Sequence, residues 1–254
     1  MITQITQIAK VEALLSKLQT TRFNALLPVG IEVRRQEGPE RYLLQIGNKE
    51  VPTQSPRQLE VGARYWGILR EDHRAGALHL SRLLKQPALL NKSVALPHFD
   101  PPALQALFAK EHPKAELKNV LLHQLAHSGD RHEFMTLTNM IAALNENLFT
   151  MVLKEGEQRT MVQLRKRKRR SRSGSKEEAS MEFYAAFAHL GPMNGTVELL
   201  GESRRLTLRL YYEKAAEFLR RELEHLEFEG RIALSETPIE PFALPVASLL
   251  DLKG

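Results

Sequence analysis

The stretch from Met181 to Glu227 carries the clearest pattern of hydrophobic and polar positions in the chain. Apolar residues first alternate with polar or small ones, which predicts half-buried strands. The alternating runs are Phe183–Phe187, Val197–Leu199 and Leu206–Leu210. From Glu213 the apolar residues move to a spacing of three and four, which predicts an amphipathic helix over 213–227. The stretch therefore reads as strand, hairpin and helix, with Leu208 pointing inward from the returning strand.

Glycine and proline mark the predicted breaks in this stretch. His189-Leu190-Gly191-Pro192 is expected to end the first strand, and Gly201-Glu202-Ser203 is expected to turn the hairpin. A further strand is predicted at Ile232–Leu234, and a preceding hairpin joins Met151–Leu153 to Thr160–Leu164. We expect these elements to form one α+β domain over residues 149–236, a mixed sheet with packed helices.

Residues 26–86 have a different pattern that predicts a small antiparallel β-barrel. Short strand-like runs are separated by turn residues, and closing such a sheet removes its exposed edges. The four runs are Leu27–Arg34, Tyr42–Ile46, Tyr65–Arg70 and Ala77–Leu83. The single tryptophan, Trp66, lies in the third run, where core packing is favoured over contact with a ligand.

The remaining segments complete the predicted organisation. Apolar residues at helical spacing predict an N-terminal amphipathic helix over 1–25. Residues 87–102 contain four prolines and are predicted to be a linker. A helical connector follows over 103–148, and its last helix has Asp130 as a plausible N-cap with Glu133 three residues later. Residues 237–254 form a proline-containing tail that either wraps the body or awaits a partner.

The charge of the chain is concentrated in one segment. Seven of the 36 basic residues lie within eight positions, and without them 29 basic residues face 30 acidic ones. This basic run consists of Arg165, Lys166, Arg167, Lys168, Arg169, Arg170 and Arg172. Such a run can neutralise phosphates, so nucleic-acid binding by the barrel and the run is one hypothesis. A solvated loop and an acidic protein partner are the competing interpretations.

Candidate catalytic chemistry is sparse. His123 and His127 lie at i and i+4 on one helix face, a spacing that can hold zinc. Gln124 occupies the position where a metalloprotease needs glutamate, and no spacing compels a third ligand. The sequence contains neither a nucleophile elbow nor a glycine-rich phosphate loop. We therefore expect a protein without enzymatic activity, metal or cofactor, and hold a metal-dependent enzyme as a third hypothesis.

The sequence was also inspected for features that indicate secretion or membrane insertion. The chain has no cysteine, no basic segment before an apolar one at its start, and no run of about 18 apolar residues. These features predict a cytoplasmic protein without membrane insertion, or one that is exported by a signal-independent route.

From about Phe134 to Glu236 the chain resembles the C-terminal domain of flagellar hook-length control proteins. The resemblance rests on a helix, a strand ending in Leu190-Gly191, a hairpin, a helix containing Phe218-Leu219-Arg220-Arg221-Glu222-Leu223, and a last strand at Arg231–Leu234. In that family the proline precedes Leu-Gly, whereas Pro192 follows it here, and the N-terminal half is long and polar. The resemblance implies docking on the cytoplasmic domain of the flagellar export gate to switch its substrate class.

The expected docking surface has two parts. One is the bend at Leu190, Gly191 and Pro192, and the other is the predicted helix with Arg220 and Arg221. Because adjacent helical residues point about 100° apart, at most one of the two arginines can face the rim of the core.

Overall fold

The structure, a computed structural model, describes residues 27–72, 77–90, 96–156, 158–167, 179–200, 203–223 and 229–245. The predicted N-terminal helix, residues 168–178 of the basic run and its spacer, and the end of the tail lie outside these ranges.

Residues 29–85 form a five-stranded antiparallel sheet. Its strands are β1 Val29–Gly38, β2 Arg41–Ile46, β3 Lys49–Gln54, β4 Arg64–Asp72 and β5 Ala77–Lys85, in the order β3-β2-β1-β4-β5. The four predicted strands are confirmed, and β3, which contains Pro52, is an additional strand. Proline is tolerated there because β3 is an end strand of the sheet. Closure into a barrel stays a prediction.

All five strands contribute to one hydrophobic cluster. The side chains of Val33 and Leu44 are fully buried in it, and Leu69 and Leu80 of β4 and β5 pack against it. Its buried members are Val29, Ile31, Val33, Tyr42, Leu44, Ile46, Leu59, Ala63 and Tyr65. The period-two pattern of the sequence thus becomes one inward face of the sheet.

The segment predicted as a linker contributes to the folded body. A 3-10 turn forms at Ala88–Leu90, and β6 His98–Phe99 pairs in parallel with the strand that begins at Leu148. Leu96 is 1% exposed. The prolines restrict the backbone of this segment, but its apolar side chains still have a core to enter.

Three helices follow, α1 Pro101–Ala109, α2 Pro113–Ala126 and α3 Arg131–Asn145. The predicted cap of α3 is confirmed, because the Asp130 carboxylate accepts from the Glu133 amide at 2.8 Å. The Glu133 carboxylate in turn accepts from the Gly129 amide at 3.2 Å. Buried residues of α2 and α3 share a cluster with Met151 and Val152. The predicted boundary at 148/149 therefore separates elements that share one core.

The second sheet has seven strands and is mixed. After β6 it contains β7 Leu148–Glu155, β8 Gln158–Arg167, β9 Ala179–Phe187, β10 Gly191–Leu200, β11 Ser203–Leu210 and β12 Glu229–Leu234. The order is β12-β11-β10-β9-β8-β7-β6; only the β6–β7 and β11–β12 pairs are parallel. The predicted hairpins and the last strand are confirmed.

One detail of the strand prediction is wrong. The strand β10 begins at Gly191 and not at Val197, so the Gly-Pro and Asn-Gly pairs lie within it. Gly191 has a φ of +75°, which suits the turn from β9. At Gly195 a Cβ would lie 2.2 Å from the backbone oxygen of Thr207, so this glycine permits close approach of the two strands.

Helix α4, Glu213–Leu223, lies between β11 and β12 in the chain and packs on the sheet. Ala215, Ala216 and Leu219 are its buried residues. Leu208 is 6% exposed, and Leu210 is fully buried in the same cluster. The predicted inward face of this strand is confirmed.

The two sheets are joined by buried aromatic side chains. The indole of Trp66 is 1% exposed and donates its N–H to the Phe187 carbonyl at 2.9 Å. Tyr212 donates its hydroxyl to the Arg82 carbonyl at 3.0 Å. Core packing of Trp66, as the sequence predicted, is confirmed, and its partners belong to the second sheet.

Candidate functional site

The predicted docking bend is buried, which corrects the sequence-based expectation. Leu190 is 2% exposed, and Gly191 and Pro192 are also buried. A Cβ at Gly191 would lie 2.5 Å from the ring of Tyr212, which packs directly on the glycine. The bend is covered because the first sheet meets the second at this end of β9 and β10. It therefore offers no surface to a partner in this structure.

The outer face of α4 is exposed and carries the two predicted arginines. Arg220 and Arg221 are both exposed, and neither makes an ion pair with another described residue. One turn earlier, Lys214 and Glu217 form a pair with 2.8 Å between Nζ and Oε2. The hydrogen bond from Lys214 lowers the pKa of Glu217, and the charges of Arg221 and Arg220 lower it further. The last turn of α4 therefore presents two exposed guanidinium groups.

The basic run begins at the end of β8, and its first residue is engaged within the chain. The Arg165 guanidinium donates to the Glu182 carboxylate from Nε at 3.1 Å and from Nη2 at 2.7 Å. It also lies over the ring of Phe242, 4.3 Å from the centroid. Lys166 is exposed, and Arg167 ends the strand. Lys168, Arg169, Arg170 and Arg172 lie outside the described residues.

The two histidines of α2 and its C-cap face each other without a third ligand. The ring centroids of His123 and His127 are 4.6 Å apart. Because a carbonyl oxygen only accepts, Nδ1 of His127 donates to the His123 carbonyl at 2.7 Å. Within the ranges that the structure describes, no three His, Asp or Glu side chains come together as a metal site.

Gln163 is a structural anchor that the sequence did not reveal. Its side chain is fully buried on β8, where its amide Nε2 donates to the Phe242 carbonyl at 3.1 Å and its Oε1 accepts from the Phe242 amide at 2.8 Å. Nε2 also lies 3.2 Å from the Thr150 hydroxyl. These bonds hold the tail segment against the second sheet. The only sequence signal was a glutamine at an inward position of an alternating strand.

A cleft of about 670 Å³ lies where the two sheets meet. Arg34 and Arg64 line it from the first sheet, and Arg159 lines it from β8 of the second. Glu32 is the acidic residue of the lining; its carboxylate lies 2.7 Å from Nη1 of Arg34 and 3.1 Å from Nη2 of Arg64. Sequence reasoning missed this set because its members are brought together only by the contact between the sheets.

Two histidines have lowered pKa values. His189 lines the cleft, and burial lowers its pKa. Burial also lowers the pKa of His98, and the positive charges of Arg159 and Lys154 contribute to that shift. Among the described residues, Arg159 makes no ion pair.

No helix in the described part of the chain is both long and apolar enough to cross a membrane. Comparison with models of known protein families found no match, and comparisons with curated proteins and with solved structures found none either.

Proposed function

We propose that this chain is a non-enzymatic protein-interaction component of flagellar or related type III export, acting in the cytoplasm. The observation that carries the proposal is the unit β9–β10–β11–α4–β12, in which a hairpin leads into a helix and then a strand parallel to β11. This is the order on which the resemblance to hook-length control proteins rests. The partner would be the cytoplasmic domain of the export gate, and docking would switch its substrate class.

The docking surface in this proposal is the outer face of α4. The bend at 190–192 is excluded from it because its residues are buried. Arg220 and Arg221 support the proposal because they are exposed and make no ion pair among the described residues. Exposed guanidinium groups without an ion pair can bind an acidic surface on a partner, because a guanidinium pairs with a carboxylate through two parallel hydrogen bonds.

The position of α4 makes the proposal testable without disturbing the fold. Its inner residues Ala215, Ala216 and Leu219 are buried against the second sheet, which fixes the helix in place. Substitutions at exposed sites away from such contacts usually change the free energy of unfolding by no more than about 0.5 kcal/mol. A change confined to the arginines should therefore alter docking and leave folding intact.

The experiment is charge reversal in cells, with Arg220→Glu combined with Arg221→Glu. We expect hooks that fail to give way to filaments, with normal levels of soluble protein. The matched control is Lys118→Glu with Arg131→Glu, which makes the same charge change at exposed positions of α2 and α3. Hook and filament lengths are scored by electron microscopy, and protein levels by immunoblotting.

Two results would count against this function. Ordinary hooks and filaments in the α4 double variant would remove this helix from the mechanism. Deletion of the gene without any flagellar phenotype would remove the whole assignment to flagellar export.

The second candidate function is nucleic-acid binding through the first sheet and the basic run, and the exposure of Lys166 at the end of β8 favours it. Because Arg165 already binds Glu182, the test replaces Arg167, Arg169 and Arg170 by serine. Loss of retention on nucleic acid, with a shallower dependence of affinity on salt, would support this candidate. An unchanged salt dependence would exclude the run as the binding surface.

A further inference from the structure

We propose that the cleft between the two sheets binds an acidic peptide segment of a partner protein, with Arg34, Arg64 and Arg159 pairing with its carboxylates. No residue of α4 is among the described residues that line the cleft, so this inference does not depend on the proposed function. Its volume, about 670 Å³, is within the range of about 300–1,000 Å³ that ligand sites occupy. Junctions between structural units are also a common location for such sites.

The charge of the cleft selects an anion. Among the described residues that line it, three arginines accompany one acidic residue, Glu32, so this carboxylate cannot neutralise them. The Glu32 carboxylate bridges Arg34 and Arg64 and uses one nitrogen of each. Arg34 also donates to the Gln45 side chain. Since each guanidinium has five N–H donors, further donors remain for a ligand.

Arg159 belongs to the other sheet, on strand β8. Among the described residues it makes no ion pair, although it lines the same cleft. A cation beside a bridged pair of cations is unfavourable unless water, salt or an anionic ligand compensates for it. An anion placed between the sheets would contact both walls, which is a geometry that neither sheet provides alone.

The other lining groups favour a peptide over a nucleic acid. Asn48 supplies a side-chain amide, which can hydrogen-bond to a peptide backbone as Gln163 does to Phe242. The Nε2 groups of Gln45 and Gln86 each donate one N–H, to the carbonyls of Gly47 and Tyr65, and each has a second N–H for a ligand. Stacking of nucleic-acid bases requires an exposed aromatic face. Trp66, the tryptophan of the lining, is 1% exposed, and its N–H is already bonded to Phe187.

Gly30 leaves part of the cleft open. A Cβ at this position would meet a single atom within 4 Å, Nε2 of Gln86 at 3.9 Å. A Cβ at this position therefore meets no backbone atom, and because Gly30 lines the cleft, we expect a leucine there to occupy part of it. This allows the site to be blocked sterically while its charges stay unchanged.

The test measures fluorescence anisotropy of the full chain with a short fluorescein-labelled peptide of alternating glutamate and serine. We expect binding that weakens as salt is added, and no binding of the same peptide with glutamine in place of glutamate. Arg159→Gln should weaken binding about tenfold, because it removes one of the charge pairs. Gly30→Leu should weaken it at least as much.

The matched control is Arg35→Gln. Arg35 is adjacent to Arg34 on β1 but does not line the cleft, and its Nη2 lies 2.9 Å from the exposed Glu37. We expect the control to change affinity less than about twofold, as exposed pairs contribute little. Circular dichroism of each variant verifies that it is folded.

Three results would overturn the inference. One is no binding of the glutamate peptide by the unmodified chain. Another is an equal loss of affinity in Arg35→Gln and Arg159→Gln, which would show only a general effect of net charge. The third is tighter binding of a thymidine oligonucleotide of matching length that Gly30→Leu abolishes, which would assign the cleft to nucleic acid.

Discussion

The hydrogen bonds between the Gln163 side chain and the backbone of Phe242 in the tail, called the Gln163 clamp below, lead to a quantitative prediction about stability. Replacing it by methionine keeps the length of the side chain but removes both the donor and the acceptor. The amide and carbonyl of Phe242 and the hydroxyl of Thr150 then lose their partner on β8. Phe242 is half-buried, so water can reach part of its backbone, whereas Thr150 is 2% exposed and cannot be rehydrated easily.

The expected cost follows from these three bonds. A buried polar group left without a partner costs about 1–3 kcal/mol, and partial access of water to Phe242 reduces its share. We expect Gln163→Met to lower the free energy of unfolding by about 2–5 kcal/mol. The double variant with Thr150→Val should lose less free energy of unfolding than the sum of the two single variants. The reason is that Thr150→Val removes the hydroxyl that Gln163→Met leaves without a hydrogen-bond partner.

The measurement is urea unfolding followed by the fluorescence of Trp66, the single tryptophan of the chain, which is buried between the two sheets. Gln54→Met on the exposed end strand β3 is the control and should shift the free energy of unfolding by less than about 0.5 kcal/mol. A cost for Gln163→Met that is no larger than that of the control would refute the view that the clamp holds the tail. Strict additivity with Thr150→Val would refute the assigned hydrogen bond between the two side chains.

Two further predictions concern the core and the pH dependence. Leu208→Ala should lower the free energy of unfolding by about 2–5 kcal/mol, and a loss below about 0.5 kcal/mol would contradict its position in the core. Burial lowers the pKa of His189 in the folded state, so this residue contributes stability that is present above its unfolded pKa of about 6.5 and is lost as the pH falls through the lower folded value. His189→Gln should therefore flatten the acid side of the curve of stability against pH, as measured by urea unfolding at a series of pH values.

Local patterns were sufficient for most elements of the second sheet. The alternation in Phe183–Phe187 and Leu206–Leu210 and the change of period at Glu213 predicted β9, β11 and α4, because such patterns depend only on which side of an element is buried. Asp130 with Glu133 predicted the start of α3, since a cap involves residues within one turn. These features depend on residues that are close in the sequence, so they can be predicted without knowledge of the tertiary structure.

The errors arose where a residue with a strong local preference has a neighbour that is distant in the chain. Pro52 lies in a strand because β3 is at the end of its sheet, and Gly195 lies in a strand because Thr207 approaches it closely. The bend at Leu190 was predicted to be a docking surface. It is buried by residues that are distant in the sequence, and the sequence of the bend does not reveal them. Burial is set by the partner and not by the residue alone.

The sequence by itself determined the two runs of strands, the helices between and after them, and the concentration of charge at Arg165–Arg172. The tertiary structure decided which of these features can meet a partner. In the folded structure Arg165 forms an ion pair with Glu182, whereas Arg220 and Arg221 are exposed. It also brought Arg34, Arg64 and Arg159 into one cleft. The physical reason is that secondary structure follows from contacts a few residues apart, whereas a binding site requires side chains that only the packing of two sheets places together.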